Sequence, residues 1–82
     1  MTSEENLLAR ITVDPNIMVG KPVIRGMRIT VDQILKSLAS EISIEEILED
    51  YPELQREDIN AVLLYASQLV SHERVFTIGA ST

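Results

Sequence analysis

The sequence predicts a mostly α-helical domain with a small N-terminal β element: a three-helix, helix-turn-helix-like core behind a β-hairpin. Three observations predict it. Apolar residues recur with a period of two over residues 10–29, and with a period of about 3.6 from residue 30 to residue 72. The strings Thr30-Val31-Asp32-Gln33 and Ser43-Ile44-Glu45-Glu46 both have the form of a capping box, which places two helix starts. A chain of 82 residues, 45% hydrophobic and 24% charged, suits one globular domain with a small core.

Residues 1–9 are expected as an N-terminal tail, and the β element follows over residues 10–29. Ile11 and Val13 alternate with Arg10 and Thr12, and the run ends at Asp14-Pro15-Asn16, where Asp can bond its own backbone and Pro presets a turn. A second apolar run, Ile17-Met18-Val19, closes on Gly20. Arg25-Gly26 reads as a two-residue turn, because Gly accepts a positive φ. That turn sets Ile24 opposite Met27, Val23 opposite Arg28, Pro22 opposite Ile29 and Lys21 opposite Thr30. Alternation then gives an apolar face of Pro22, Ile24, Met27 and Ile29. The other face carries Lys21, Val23, Arg28 and Thr30, with Arg25 at the tip.

The helical core spans residues 30–72. Val31, Ile34, Leu35, Leu38 and Ala39 form the stripe of a first helix, and Ile44, Ile47, Leu48 and Tyr51 that of a second. Pro52 ends the second helix at about Tyr51, since the residue before a proline is pushed out of the α region. A third helix runs from about Arg56 to about His72, with Ile59, Val62, Leu63, Ala66, Leu69 and Val70 as its buried stripe and Glu57 and Asp58 in its first turn. Leu64 and Tyr65 widen that stripe and are read either as core or as a partner interface. Residues 73–82 read as a C-terminal strand and tail. Val75, Phe76 and Ile78 are candidate partner contacts, able to extend a sheet in the same chain, a dimer mate or another protein.

The net charge of −6 is unevenly laid out. Over residues 10–36, Arg10, Lys21, Arg25, Arg28 and Lys36 outnumber Asp14 and Asp32; beyond them only Arg56 and Arg74 oppose nine acids. Two surfaces with different partners, or merely solvated faces of alternating sign, fit this layout.

Enzymatic chemistry is not expected. With no cysteine and with His72 as the single histidine, neither a Cys/His pair nor a nitrogen- and sulfur-rich metal site can be assembled, so no cofactor or metal is expected. His72 reads as a charge partner of a helix C-terminus, and Glu45, Glu46, Glu49, Asp50 and Glu53 as capping and solvated acids. Gly20-Lys21-Pro22 lacks the Gly-Lys-Ser or Gly-Lys-Thr helix start of a phosphate loop. The first residues lack a secretory signal, and no stretch approaches roughly 18 consecutive apolar residues, so a cytoplasmic chain without a membrane partner is expected.

One set of residues carries a resemblance. Asp14-Pro15, Gly20-Lys21-Pro22-Val23-Ile24-Arg25-Gly26, Arg28-Ile29-Thr30-Val31, Ser43 through Pro52, Asp58-Ile59-Asn60-Ala61-Val62 and Tyr65-Ala66 together are similar to the domain-of-unknown-function 433 family, over residues 10–68. The resemblance implies a helix-turn-helix, homeodomain-like fold behind an N-terminal β element. It also implies an antitoxin role in a toxin-antitoxin pair, beside a PIN-like nuclease toxin. Three positions depart from the family pattern: Met27 in place of Thr, Ser40-Glu41 in place of a Gly, and Gln55 in place of the Ser or Thr that caps the third helix. The last departure weakens that helix start by about 1 kcal/mol.

DNA binding is the leading functional expectation. The third helix would enter the major groove, with Gln55, Arg56 and Asn60 facing base edges or phosphates and Lys21, Arg25 and Arg28 supplying further phosphate contacts. Glu57 and Asp58 would repel phosphates, so a homodimer is expected in order to double the cations. The competing expectation is a protein-interaction or structural homodimer module without DNA binding.

Overall fold

The computed structural model describes residues 3–72, and within them the chain is mostly helical with one small antiparallel sheet. The order is α1 (Ser3–Leu8), β1 (Ile11–Thr12), β2 (Val23–Ile24), α2 (Val31–Ala39), α3 (Ile44–Asp50) and α4 (Arg56–His72). The proposed C-terminal strand, with Val75, Phe76 and Ile78, lies outside the described residues, as does the side chain of His72.

The expected N-terminal tail contains a helix. Glu4 and Glu5 occupy the first turn of α1, where the helix dipole favours acids, and Leu7 and Leu8 are half-buried. Packing of α1 on α4 stabilises a helix too short to persist alone.

The Asp14-Pro15-Asn16 turn forms as expected: Asp14 Oδ1 accepts from the Asn16 N–H at 2.9 Å, and the Asp14 carbonyl accepts from the Ile17 N–H at 2.9 Å. Ile17-Met18-Val19 does not extend as a strand. Met18–Gly20 is a tight left-handed turn with φ of 50, 57 and 78°, and it leaves Val19 92% exposed.

The β element differs from the expected hairpin in partner and in register. β2 pairs with β1, Ile11 opposite Ile24 and Thr12 opposite Val23, and on its other edge Val23 bridges Thr30. Ile24 donates to the Ile29 carbonyl at 3.0 Å, so four residues, 25–28, form the loop in place of two. The turn chemistry explains the shift. Met27 donates to the Ile24 carbonyl at 2.9 Å, and of the two central residues only Gly26 has positive φ, at 79°. Gly at the second central position makes a type II turn, whose twist splays the strands instead of closing a two-residue hairpin. A shift of two residues preserves alternation, so Ile24 and Ile29 still share the core face. Val23, expected on the outer face, is 1% exposed. As the central strand, flanked on both edges, β2 is drawn into the interior and does not project.

The helices start where the capping boxes place them. Thr30 Oγ1 accepts from the Gln33 N–H at 3.0 Å while Gln33 Oε1 accepts from the Thr30 N–H at 3.0 Å, and Ser43 and Glu46 exchange the same pair of bonds at 3.1 Å. α2 ends in a Schellman motif: Ile42 donates to the Ser37 carbonyl and Glu41 to that of Leu38, with Glu41 at φ 67°. The tight turn is therefore kept, although Glu stands where Gly would fit without strain.

One core, Ile24, Ile29, Val31, Ile34, Ile47, Leu54, Ile59 and Val62, joins the β element to α2, α3 and α4. The stripe of α4 is rotated from expectation. Asp58 and Ala61 are buried and Tyr65 packs against the core, whereas Leu63, Leu69 and Val70 are exposed. Two causes act together. α1 and β1 also pack on α4, and Leu8 of α1 lines one hollow with Tyr65. The 17 residues of α4 run about 25 Å, which outreaches a core this small.

Candidate nucleic-acid interface

The first turn of α4 is held by a ring of hydrogen bonds. Asp58, the third helical residue, is 4% exposed, and its Oδ2 accepts from the Gln55 N–H at 2.8 Å. The carboxylate thus satisfies a backbone donor at the helix start from the opposite direction to a Ser or Thr cap, offsetting the departure at Gln55. The other oxygen, Oδ1, accepts from Arg10 NH1 at 2.9 Å, and the same nitrogen donates to Gln55 Oε1 at 3.1 Å. Asp58 is therefore not an outward negative charge, contrary to its expected repulsion of phosphate. Glu57 is exposed, in keeping with that expectation.

Gln55 and Asp58 stand out in the sequence by their place at a helix start, whereas the role of Arg10 does not. Arg10 and Asp58 are 48 positions apart, so no local pattern pairs them. The one available signal was an acid at the third helical position beside a missing cap.

Arg25 reaches the same place from the β2 turn. It is exposed, and its NH1 donates to the Ala9 carbonyl at 3.1 Å, closing the end of α1 with a cation. Arg10, Ile24, Arg25, Met27, Glu53, Gln55 and Asp58 line an open hollow of about 220 Å³. Arg56 is turned to α3, with NH2 2.8 Å from Glu45 Oε2. The backbone N–H of Glu45 at the start of α3, and then the Arg56 guanidinium, hold the Glu45 carboxyl below its ordinary value of 4.5. Asn60 is exposed one turn further along α4.

The remaining candidates are placed elsewhere. Lys21 lies 3.9 Å from Asp32, which also pairs with Lys36 at 3.4 Å, and Arg28 is exposed on the loop after β2. Leu64 is half-buried, and Tyr65, besides packing on the core, lines a second hollow of about 300 Å³ with Leu8, Gln68 and Leu69. Among the described residues, no group of three or more His, Cys, Asp or Glu is arranged to hold a metal ion. No helix among them is long and apolar enough to cross a membrane.

A family model described as a protein of unknown function, DUF433, matches residues 11–66. The chain belongs to the DUF433 family. The matched span of this DUF433 domain holds β1, β2, α2, α3 and most of α4, and Arg10 stands one residue before it. The chain is similar to the uncharacterized protein y4eO of Sinorhizobium fredii (strain NBRC 101917 / NGR234), 38% identical over 68 residues, which cover 80% of this chain and 31% of that protein. The chain thus spans less than a third of that relative's length. It is also similar to the crystal structure of a DUF433 member from Anabaena variabilis ATCC 29413. The TM-score is 0.74 at 28% identity, covering 82% of this chain and 66% of the other.

Proposed function

We propose that this DUF433 domain is a dimeric, DNA-binding helix-turn-helix module of the antitoxin type, with α4 as the recognition helix. One observation carries the reading: Gln55, Arg56 and Asn60 are all exposed at the start of α4, while Leu54, in the turn from α3, is buried and fixes the angle of entry. Arg25 lines the same hollow as Gln55. The Arg10 pair removes the Asp58 charge from this surface, and the Arg56–Glu45 pair is exposed, so a phosphate can take over its guanidinium at small cost.

The dimer is supported by the far half of α4. No charged residue occurs over residues 59–72, and Leu63, Leu69 and Val70 are exposed there. Depletion of charge over exposed apolar side chains is the composition of an interface centre. Two copies double the few cations available to phosphates.

The test is a fluorescence anisotropy titration on duplex DNA from the region upstream of the coding sequence. Binding at low salt is expected to fall steeply as salt rises, and to weaken in Arg25→Ala and Arg28→Ala. No binding by a dimeric sample at low salt overturns the reading.

The exposed apolar end of α4 also favours a second reading, a protein partner. Within the antitoxin reading that partner is a PIN-like nuclease toxin, whose basic nucleic-acid path the acidic C-terminal half would cover. Co-expression with the adjacent open reading frame and co-purification tests it; two proteins that never co-purify refute it.

A further inference from the structure

If α4 enters the major groove, as proposed above, the hydrogen bonds around Gln55 limit what it can read there. A free glutamine offers an acceptor and a donor side by side, which matches the N7 and N6 amino edge of adenine. Gln55 is not free. Arginine has donors only, so the atom 3.1 Å from Arg10 NH1 is the amide oxygen, and the amide orientation follows from chemistry. Arg10 is itself held at 2.9 Å by Asp58, whose second oxygen accepts from the Gln55 backbone at 2.8 Å. With the backbone N–H and one lone pair of the amide oxygen tied into this ring, and the Arg10 cation beside that oxygen, the NH2 group is the part of the side chain left to meet a base. Guanine alone among the bases presents two adjacent acceptors, O6 and N7, and no donor in the major groove; adenine would set its amino group against the amide NH2.

We propose that Gln55 is a specificity-determining residue that selects guanine over adenine, and that Arg10 is the positioning residue that makes it so. The proposal rests on the DNA-binding reading, and one experiment separates their failures. A random duplex library is selected with the full chain, and the enriched duplex and its single guanine-to-adenine variants are then titrated against wild type, Gln55→Glu and Gln55→Met. Gln55 is exposed, so both variants are expected to fold, and circular dichroism checks this. The glutamate still accepts from Arg10 but has no donor to offer, and the methionine removes the amide without adding charge. At one position per half-site, guanine-to-adenine replacement is expected to weaken wild type roughly tenfold, to leave Gln55→Met nearly indifferent and to strengthen Gln55→Glu, whose carboxylate accepts from the adenine amino group but is repelled by guanine O6 and N7. Preference of wild type for adenine at that position overturns the proposal. So does an equal loss on every duplex in Gln55→Met, which would place the amide on a phosphate, and so does binding with no enriched sequence. Absence of any duplex binding at low salt overturns the DNA-binding reading along with it.

Discussion

Glu41 occupies the left-handed region at φ 67°, directly after α2, because the Schellman motif needs that conformation at this position. A side chain there crowds its own backbone, at a cost of roughly 1–2 kcal/mol that glycine avoids. Glu41→Gly is therefore expected to stabilise the domain by about 1 kcal/mol, after the extra chain entropy of glycine is subtracted. A thermal melt should show Tm raised by roughly 4–8 °C for a domain of this size. Val19 is another such residue, beside Met18 at φ 50°. It is β-branched, at φ 57° and 92% exposed, so it pays for strain without burying its side chain in return. Val19→Asn is expected to raise stability by about 1 kcal/mol in urea denaturation; an unchanged midpoint would mean that the turn relaxes around valine.

Between elements, two ion pairs of unequal burial tie the fold to α4. Arg10, just before β1, meets Asp58 in the first turn of α4, and Asp58 is 4% exposed. Arg10→Met keeps the length of the side chain but leaves a buried carboxylate without its cation. A loss of about 2 kcal/mol is expected, since a charged partner contributes about 1.5–3 and part of Arg10 is solvated. Chemical denaturation measures it, and a loss under 0.5 kcal/mol, about that of an ordinary surface substitution, would refute the structural role. The Glu45–Arg56 pair between α3 and α4 is exposed, and its signature is pH dependence. The folded state lowers the Glu45 pKa below 4.5, so this contribution is fully present above that pH and is lost as pH falls through the folded value. The difference in Tm between wild type and Glu45→Gln should be constant above about pH 5 and shrink in the acid range below 4.5. A difference independent of pH down to 3 would assign it to something other than the carboxylate.

At the scale of the whole molecule, α4 outruns the core, and the proposed dimer follows from that overhang. Leu69→Glu together with Val70→Glu is expected to leave the fold intact, since both residues are exposed, and to shift sedimentation equilibrium from dimer to monomer. The salt slope of DNA binding should fall toward half, because each phosphate contact contributes a slope of about −0.9. What was legible in the sequence was local. The helix starts at Thr30 and Ser43, the stop at Pro52, the Asp14 turn and the family match all depend on residues within a few positions or on their spacing, and all are seen as read. Gln55, Arg56 and Asn60 were legible as exposed residues for the same reason, being polar positions at a helix start. What only the tertiary structure decided was long-range. Val23 is buried because β1 and Thr30 flank β2; α4 has a second packed side because α1, expected as a tail, lies on it; the Gln55 amide is partnered because Arg10 donates to its oxygen. Caps and periodicities act through one turn of backbone, so a sequence states them directly. A register, a rotated face or a partnered amide is fixed by whichever distant element arrives to pack, and that is settled only when the chain folds.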